Sequence, residues 1–302
     1  MTAASPVSAA PKVETPLKRF VVGFLDSRVA MLGLVLLALV VFSALLAPWI
    51  APQDPYDLSK LDIMSGMLPP GSADMDGNVF WLGSDEQGRD LLSAILYGLR
   101  TSLLVGFSST AIALAIGLVI GMVAAYAGGG TDATIMRLVD IQLSFPAILI
   151  ALILLAVLGK GVDKVIVALA AVQWAYYART VRSAALVERR KEYVEAAQCL
   201  ALPKGRIVLR HLLPNCLPPL IVVATVQVAH AITLEATLSF LGVGVPVTEP
   251  SLGMLIASGF DYMLSGEFWV SVFPGLALLI TIVSINLVGD QMRDVLNPRL
   301  QH

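Results

Sequence analysis

Five runs without a charged side chain constrain this sequence more than any other feature: residues 29–50, 101–127, 141–159, 217–229 and 270–289. A helix advances about 1.5 Å per residue, so roughly 20 apolar residues cross the hydrocarbon core of a bilayer. Most of the runs approach that length, and 217–229 reaches it with its flanks. A sixth run, 165–178, becomes long enough if it continues past Arg179 and Arg182. Composition agrees, with 57% hydrophobic and 14% charged residues against roughly 25% charged in ordinary soluble domains. Backbone amides cannot be left unpaired in lipid. The expected fold is therefore an all-α polytopic membrane protein with about six transmembrane helices.

Orientation follows from Lys and Arg, which concentrate on the cytoplasmic side of membrane proteins. With the N-terminus inside, 15 of the 20 fall on that side, Arg137, Arg179 and Arg182 among them. Both termini are expected in the cytoplasm. The divisions are a polar, proline-containing tail at 1–28 expected to be disordered, a first transmembrane helix at 29–50, an external loop at 51–100, a five-helix core at 101–290 and a cytoplasmic tail at 291–302. Within the external loop, Leu91, Leu92, Ile95 and Leu99 have helical spacing, and an amphipathic helix over 85–99 is expected. Its acidic side chains, among them Asp57, Asp62, Asp76, Asp85 and Asp90, form either a docking surface or a solvated face.

Gly117 and Gly121 form a small-xxx-small pair, suited to close packing within the chain or against a second membrane subunit. His230 and Glu235, near the outer end of the fifth span, are possible pathway-lining residues or structural partners. Two cysteines, Cys199 and Cys216, are too few for a metal site. No HExxH pair and no phosphate-binding loop occurs, Gly159-Lys160 being followed by Gly161. Catalytic and metal-ligating residues are therefore expected to be none, and a net charge of -2 gives no sign of nucleic-acid binding.

Between the fourth and fifth spans lies a charged segment, 183–215. Tyr193, Glu195, Ala196 and Ala197 sit in a strong helix former, Pro203 and Gly205 break it, and Arg206 to Leu213 forms a second short helix before Pro214. Such a projection suits a motor-coupled transporter. A channel or secondary transporter would explain the spans equally well and leave the projection without a role, and an intramembrane enzyme lacks paired catalytic residues.

Glu195-Ala196-Ala197, followed by a break and His211-Leu-Leu-Pro214-Asn215, resembles the EAA loop of bacterial ABC-importer permeases. The stretch from Trp81 to Leu91 with Gly98, Arg100 and Ser102 is similar to C-type subunits of dipeptide, oligopeptide and nickel importers. So are Met136-Arg137 with Asp140, Phe145-Pro146, the stretch from Leu238 to Gly244, Phe273-Pro274-Gly275, and Asn286 to Asn297-Pro298. The resemblance covers about 20–300. It implies a type I importer permease of the bacterial inner membrane, paired with a B-type permease and fed with a peptide or related solute by an external substrate-binding protein. Two ATP-binding cassette subunits would carry the ATP and Mg, with no cofactor in this chain. ATPase coupling would fall to Tyr193, Glu195, Ala196, Ala197, Ala201, Gly205, Arg206, His211 and Pro214. Where the family has glycine this chain has Ala201, so the turn is expected to shift to Pro203 and Gly205. Where the family has tryptophan it has Leu252, expected to alter an external or pore-facing contact.

Overall fold

The computed structural model describes residues 16–56, 63–74, 77–246 and 248–296. Residues 1–15 of the expected tail, Asp57, Asp62 and Asp76 of the acidic loop, and 297–302 of the second tail lie outside them.

The rest of the expected N-terminal tail is helical. Helix α1, Pro16–Leu25, packs on the end of the chain's last helix, where the Gly23 carbonyl accepts the Gln291 side-chain amide at 2.9 Å. Helix α2, Arg28–Leu45, starts at Ser27, whose hydroxyl accepts the Ala30 amide. It breaks at Leu46 before a single turn, α3, Ala47–Ile50. The outward face of α2 carries Leu32, Val35, Leu39 and Phe42, all more than half exposed; lipid is the solvent for which this pattern is correct.

Among the described residues of 51–90 there is no amphipathic surface helix. They hold a small hairpin, β1 (Ser72–Ala73) paired antiparallel with β2 (Val79–Phe80), and a turn in which Asp85 and Arg89 are both buried. Helix α4 begins at Leu91 and runs unbroken to Ala127. The expected surface helix is thus the first turns of a span, because Asp90 caps it through the Ser93 amide at 2.8 Å.

Next come α5 (Gly129–Ser144) and α6 (Ala147–Leu158), bent by 90° at Phe145-Pro146, then α7 (Val162–Glu188). The projection contains α8 (Glu192–Cys199) and α9 (Lys204–Ile207). Helix α10 (Leu213–Phe240), a short buried α11 (Leu252–Phe260) and α12 (Trp269–Leu296) complete the fold. Among the described residues four helical stretches are long and apolar enough to cross a membrane, α2, α4, 204–240 and α12, or five with the bent α5–α6 pair. Helix α7 is long enough but not apolar enough to meet the same standard.

Glycines set the closest crossings. A Cβ at Gly117 would lie 2.4 Å from the Tyr177 Cβ, and one at Gly121 2.4 Å from the Ala178 carbonyl oxygen. The small-xxx-small pair therefore serves α4–α7 packing inside this chain. On the far side of the bundle, a Cβ at Gly253 of α11 would stand 2.2 Å from the Ala236 carbonyl oxygen. Leu252 beside it is fully buried in the cluster of Leu91, Ala94, Leu255 and Val270, so its contact is neither external nor pore-facing.

The span boundaries shift with these helices. Helix α5 starts at Gly129, twelve residues before the expected start of the third span, so Arg137 and Asp140 lie well inside a helix. Asp132 and Asp140 pair with Arg182 and Arg179 of α7. These arginines thus sit within a helix and pair with the aspartates of α5.

Candidate functional site: the projection between α7 and α10

Arg189, just past α7, anchors the projection. Its Nη1 donates to the carbonyls of Ala125 (3.0 Å) and Tyr126 (3.2 Å), and its guanidinium lies 5.3 Å from the Tyr126 ring centre. A cation at the carbonyl end of α4 is favoured by the helix dipole, so the root of the projection is fixed to the bundle.

Helix α8 has two faces. Val194 and Ala197 are buried against Ile207, Leu212 and Cys216, while Glu195, Ala196, Gln198, Cys199 and Leu200 face outward. Glu192 and Glu195 occupy its first turn, where the dipole favours negative charge. Of the adjacent alanines expected to meet a partner, only Ala196 is at the surface. Ala197 is the floor of the projection.

The turn that follows stays at Ala201. Its φ is +55°, in the left-handed region that favours glycine. The Ala201 amide donates to the Gln198 carbonyl and the Leu202 amide reaches back to Ala197 at 3.2 Å. This is the paired bonding of a Schellman cap, with Leu202 packing on the cluster below. The expected shift of the turn to Pro203 and Gly205 does not occur, because the cap bonds outweigh the cost of placing a Cβ there, about 1 kcal/mol.

After α9 the helix widens into a π turn, Val208–Leu212, and runs on through Pro214 into α10. Tyr193 braces this junction. Its hydroxyl donates to Glu188 at 2.6 Å and accepts from the Asn215 amide at 3.2 Å, while Asn215 also donates to the His211 carbonyl at 2.7 Å. Burial, then the bond to the Glu188 carboxylate, push the Tyr193 phenol up to about 12. It is held protonated as a donor. Gly205, Arg206 and Pro214 are exposed and His211 is half-buried.

Two side chains escaped the sequence reading. Leu200 is 75% exposed and Leu209 67%. Leu200 lies one helical turn from Ala196 on the same outward face of α8. An apolar residue at a helix C-cap was the available signal, but sequence alone does not tell an outward leucine from an inward one.

The two possible pathway residues part company. His230 is exposed on α10, one turn from Thr233, also exposed. Glu235 is fully buried: Ser102 of α4 and Ser239 of α10 each donate to it at 2.8 Å, and Ser251, the cap of α11, bonds it as well. It ties three elements together from inside the packed chain.

The fold is thus a mostly helical bundle with an apolar outer surface and a braced polar projection between two long helices. Residues 117–302 match the family described as binding-protein-dependent transport system inner membrane component, and residues 15–70 match the N-terminal TM domain of oligopeptide transport permease C. The chain is 40% identical over 288 residues to the di/tripeptide transport system permease protein DppC of Pseudomonas aeruginosa, covering 95% of this chain and 94% of that one. It is 35% identical to the dipeptide transport system permease protein DppC of Haemophilus influenzae, over 98% and 99% of the two chains. An inward-facing structure of the MetNI methionine ABC transporter shares the fold, with a TM-score of 0.55 and 24% identity over 67% of this chain and 96% of that one. The chain belongs to the family of binding-protein-dependent transport system inner membrane components, and within it to the permeases of peptide ABC transport systems.

Proposed function

We propose that this chain is the C-type permease of an ATP-driven peptide importer in a bacterial inner membrane, with both termini cytoplasmic. A B-type permease forms the other half of the pathway, a substrate-binding protein delivers a di- or oligopeptide from outside, and two ATP-binding cassette subunits hold ATP and Mg. The observation that carries the reading is the α8 surface: Glu195, Ala196 and Leu200 face outward from a rigid, capped projection rooted on α4 by Arg189. Binding energy in a motor can shift the membrane equilibrium only through contacts that differ between states, and a rigid projection transmits such a difference. Arg206 and His211 flank the contact, Tyr193 and Pro214 shape it, and Ala197, Ala201 and Gly205 set its backbone. His230 faces the pathway. The names of the relatives support peptides as cargo, since both describe di- or tripeptide transport systems.

The test is copurification from native membranes through a C-terminal tag. Wild type should bring down a second permease and ATPase subunits, and Glu195→Lys should keep the permease and lose the ATPases. Recovery of the chain alone, still transporting, would make it a motor-free channel or secondary transporter.

A further inference from the structure

Two ion pairs join α5 to α7, and they differ in kind. Arg182 grips Asp132 through two bonds of 2.5 and 2.6 Å, and their side chains are only 29% and 19% exposed. That pair is a clamp. Arg179 and Asp140 also pair, but their side chains are 49% and 65% exposed.

Their depth makes the exposure informative. Arg179 follows Ala178, which touches Gly121 of α4. Gly121 lies seven residues, about 10 Å, from the midpoint of the charge-free stretch 101–127, inside the roughly 15 Å half-thickness of a hydrocarbon core. Asp140 is paired with Arg179 and so lies at the same level. Charges at such depth face a partner or a water-filled cavity, and the clamp already holds the two helices together. Arg137, one turn before Asp140 on the same face, is exposed and makes no ion pair among the described residues. The face thus presents one anion and two cations. Tyr176 extends it along α7, one turn from Arg179, and is also exposed.

We propose that Asp140, Arg179 and Arg137 form a binding site for the charged ends of a free peptide in transit. Asp140 takes the terminal ammonium and the arginines take the terminal carboxylate. The Asp140–Arg179 pair opens as the peptide enters and closes behind it, so neither member of the pair stands without a partner. Bidentate geometry suits arginine to the carboxylate, and recognition of the two termini leaves the peptide's side chains unread. The site rests on the peptide-importer reading above.

The test uses the purified complex in proteoliposomes with its binding protein and tritiated L-alanyl-L-alanine. The exchange variant Asp140→Arg with Arg179→Asp restores an ion pair between the helices but moves the anion and a cation. It should assemble with its partners and keep ATPase activity stimulated by the binding protein, yet import dialanine at least tenfold more slowly. Uptake within twofold of wild type would reduce the pair to a second clamp or a subunit contact and overturn the site. If the exchange variant does not assemble, Arg137→Gln decides, because it breaks no pair: a fivefold or greater loss of uptake supports the site, and wild-type uptake overturns it. Absence of dialanine uptake by the wild-type complex, with that of longer alanine peptides, would remove the peptide reading, and the site with it.

Discussion

Helix α4, about 55 Å long, joins two ends of the molecule that treat polar groups in opposite ways. At its Leu91 end Asp85, Arg89 and Glu235 are buried and paired. Asp85 accepts the Gln87 and Arg89 amides at 2.9 Å and the Arg89 Nε at 2.6 Å, and Glu235 is ringed by three serines. At its Ala127 end the projection turns charged and apolar side chains outward and uses its internal bonds only to hold a shape. Buried polar groups must be satisfied on the spot, so the first end is a closed scaffold. The second keeps its outward groups free for a partner.

The hardest blow to the closed end is Glu235→Ala. It leaves three hydroxyls without their acceptor and opens a cavity where α4, α10 and α11 meet, which should cost about 3 kcal/mol. Glu235→Gln keeps an acceptor for the serines and should cost less than half as much. Thermal unfolding in detergent reads both. Equal midpoints for Glu235→Ala and wild type would show that the carboxylate closes nothing.

Neighbouring alanines sharpen the contrast at the open end. Ala197→Leu forces three carbons into the cluster of Val194, Ile207 and Leu212, at a cost of about 2 kcal/mol, and should lose ATPase association because the projection deforms. Ala196→Leu meets only solvent in the free chain. Its unfolding midpoint should match wild type while ATPase copurification drops severalfold. Undiminished copurification with Ala196→Leu would move the docking face off α8.

Much of this was legible in the sequence, for identifiable reasons. Charge-free runs found α2, α4, α10 and α12, because lipid leaves no alternative to apolar side chains there. The same rule missed the first twelve residues of α5, since its two aspartates are paired with arginines of α7 that are 39 and 50 positions away. Local windows cannot see such pairs. The 183–215 projection was found in outline from its alanines and prolines, but which alanine faces out depends on what lies beneath α8, a property of the packed bundle. Glu235 and His230, five residues apart on one helix, looked alike in sequence; burial against Ser102, more than a hundred positions away, separates them.

The smallest expected effect concerns the turn itself. Ala201→Gly removes the Cβ that the left-handed conformation disfavours while keeping both cap bonds, and the gain is offset in part by the greater freedom of glycine in the unfolded chain. The net stabilisation should be about 0.5 to 1 kcal/mol, slowing amide exchange at Leu202 by a factor of about 2 to 5 where the projection opens locally. Ala201→Val should do the reverse and more strongly, because a β-branched side chain tolerates positive φ least. If both substitutions leave exchange at Leu202 unchanged, the turn is not held at Ala201. The cap would then lie at Pro203 and Gly205, with Leu200 no longer fixed on the docking face of α8.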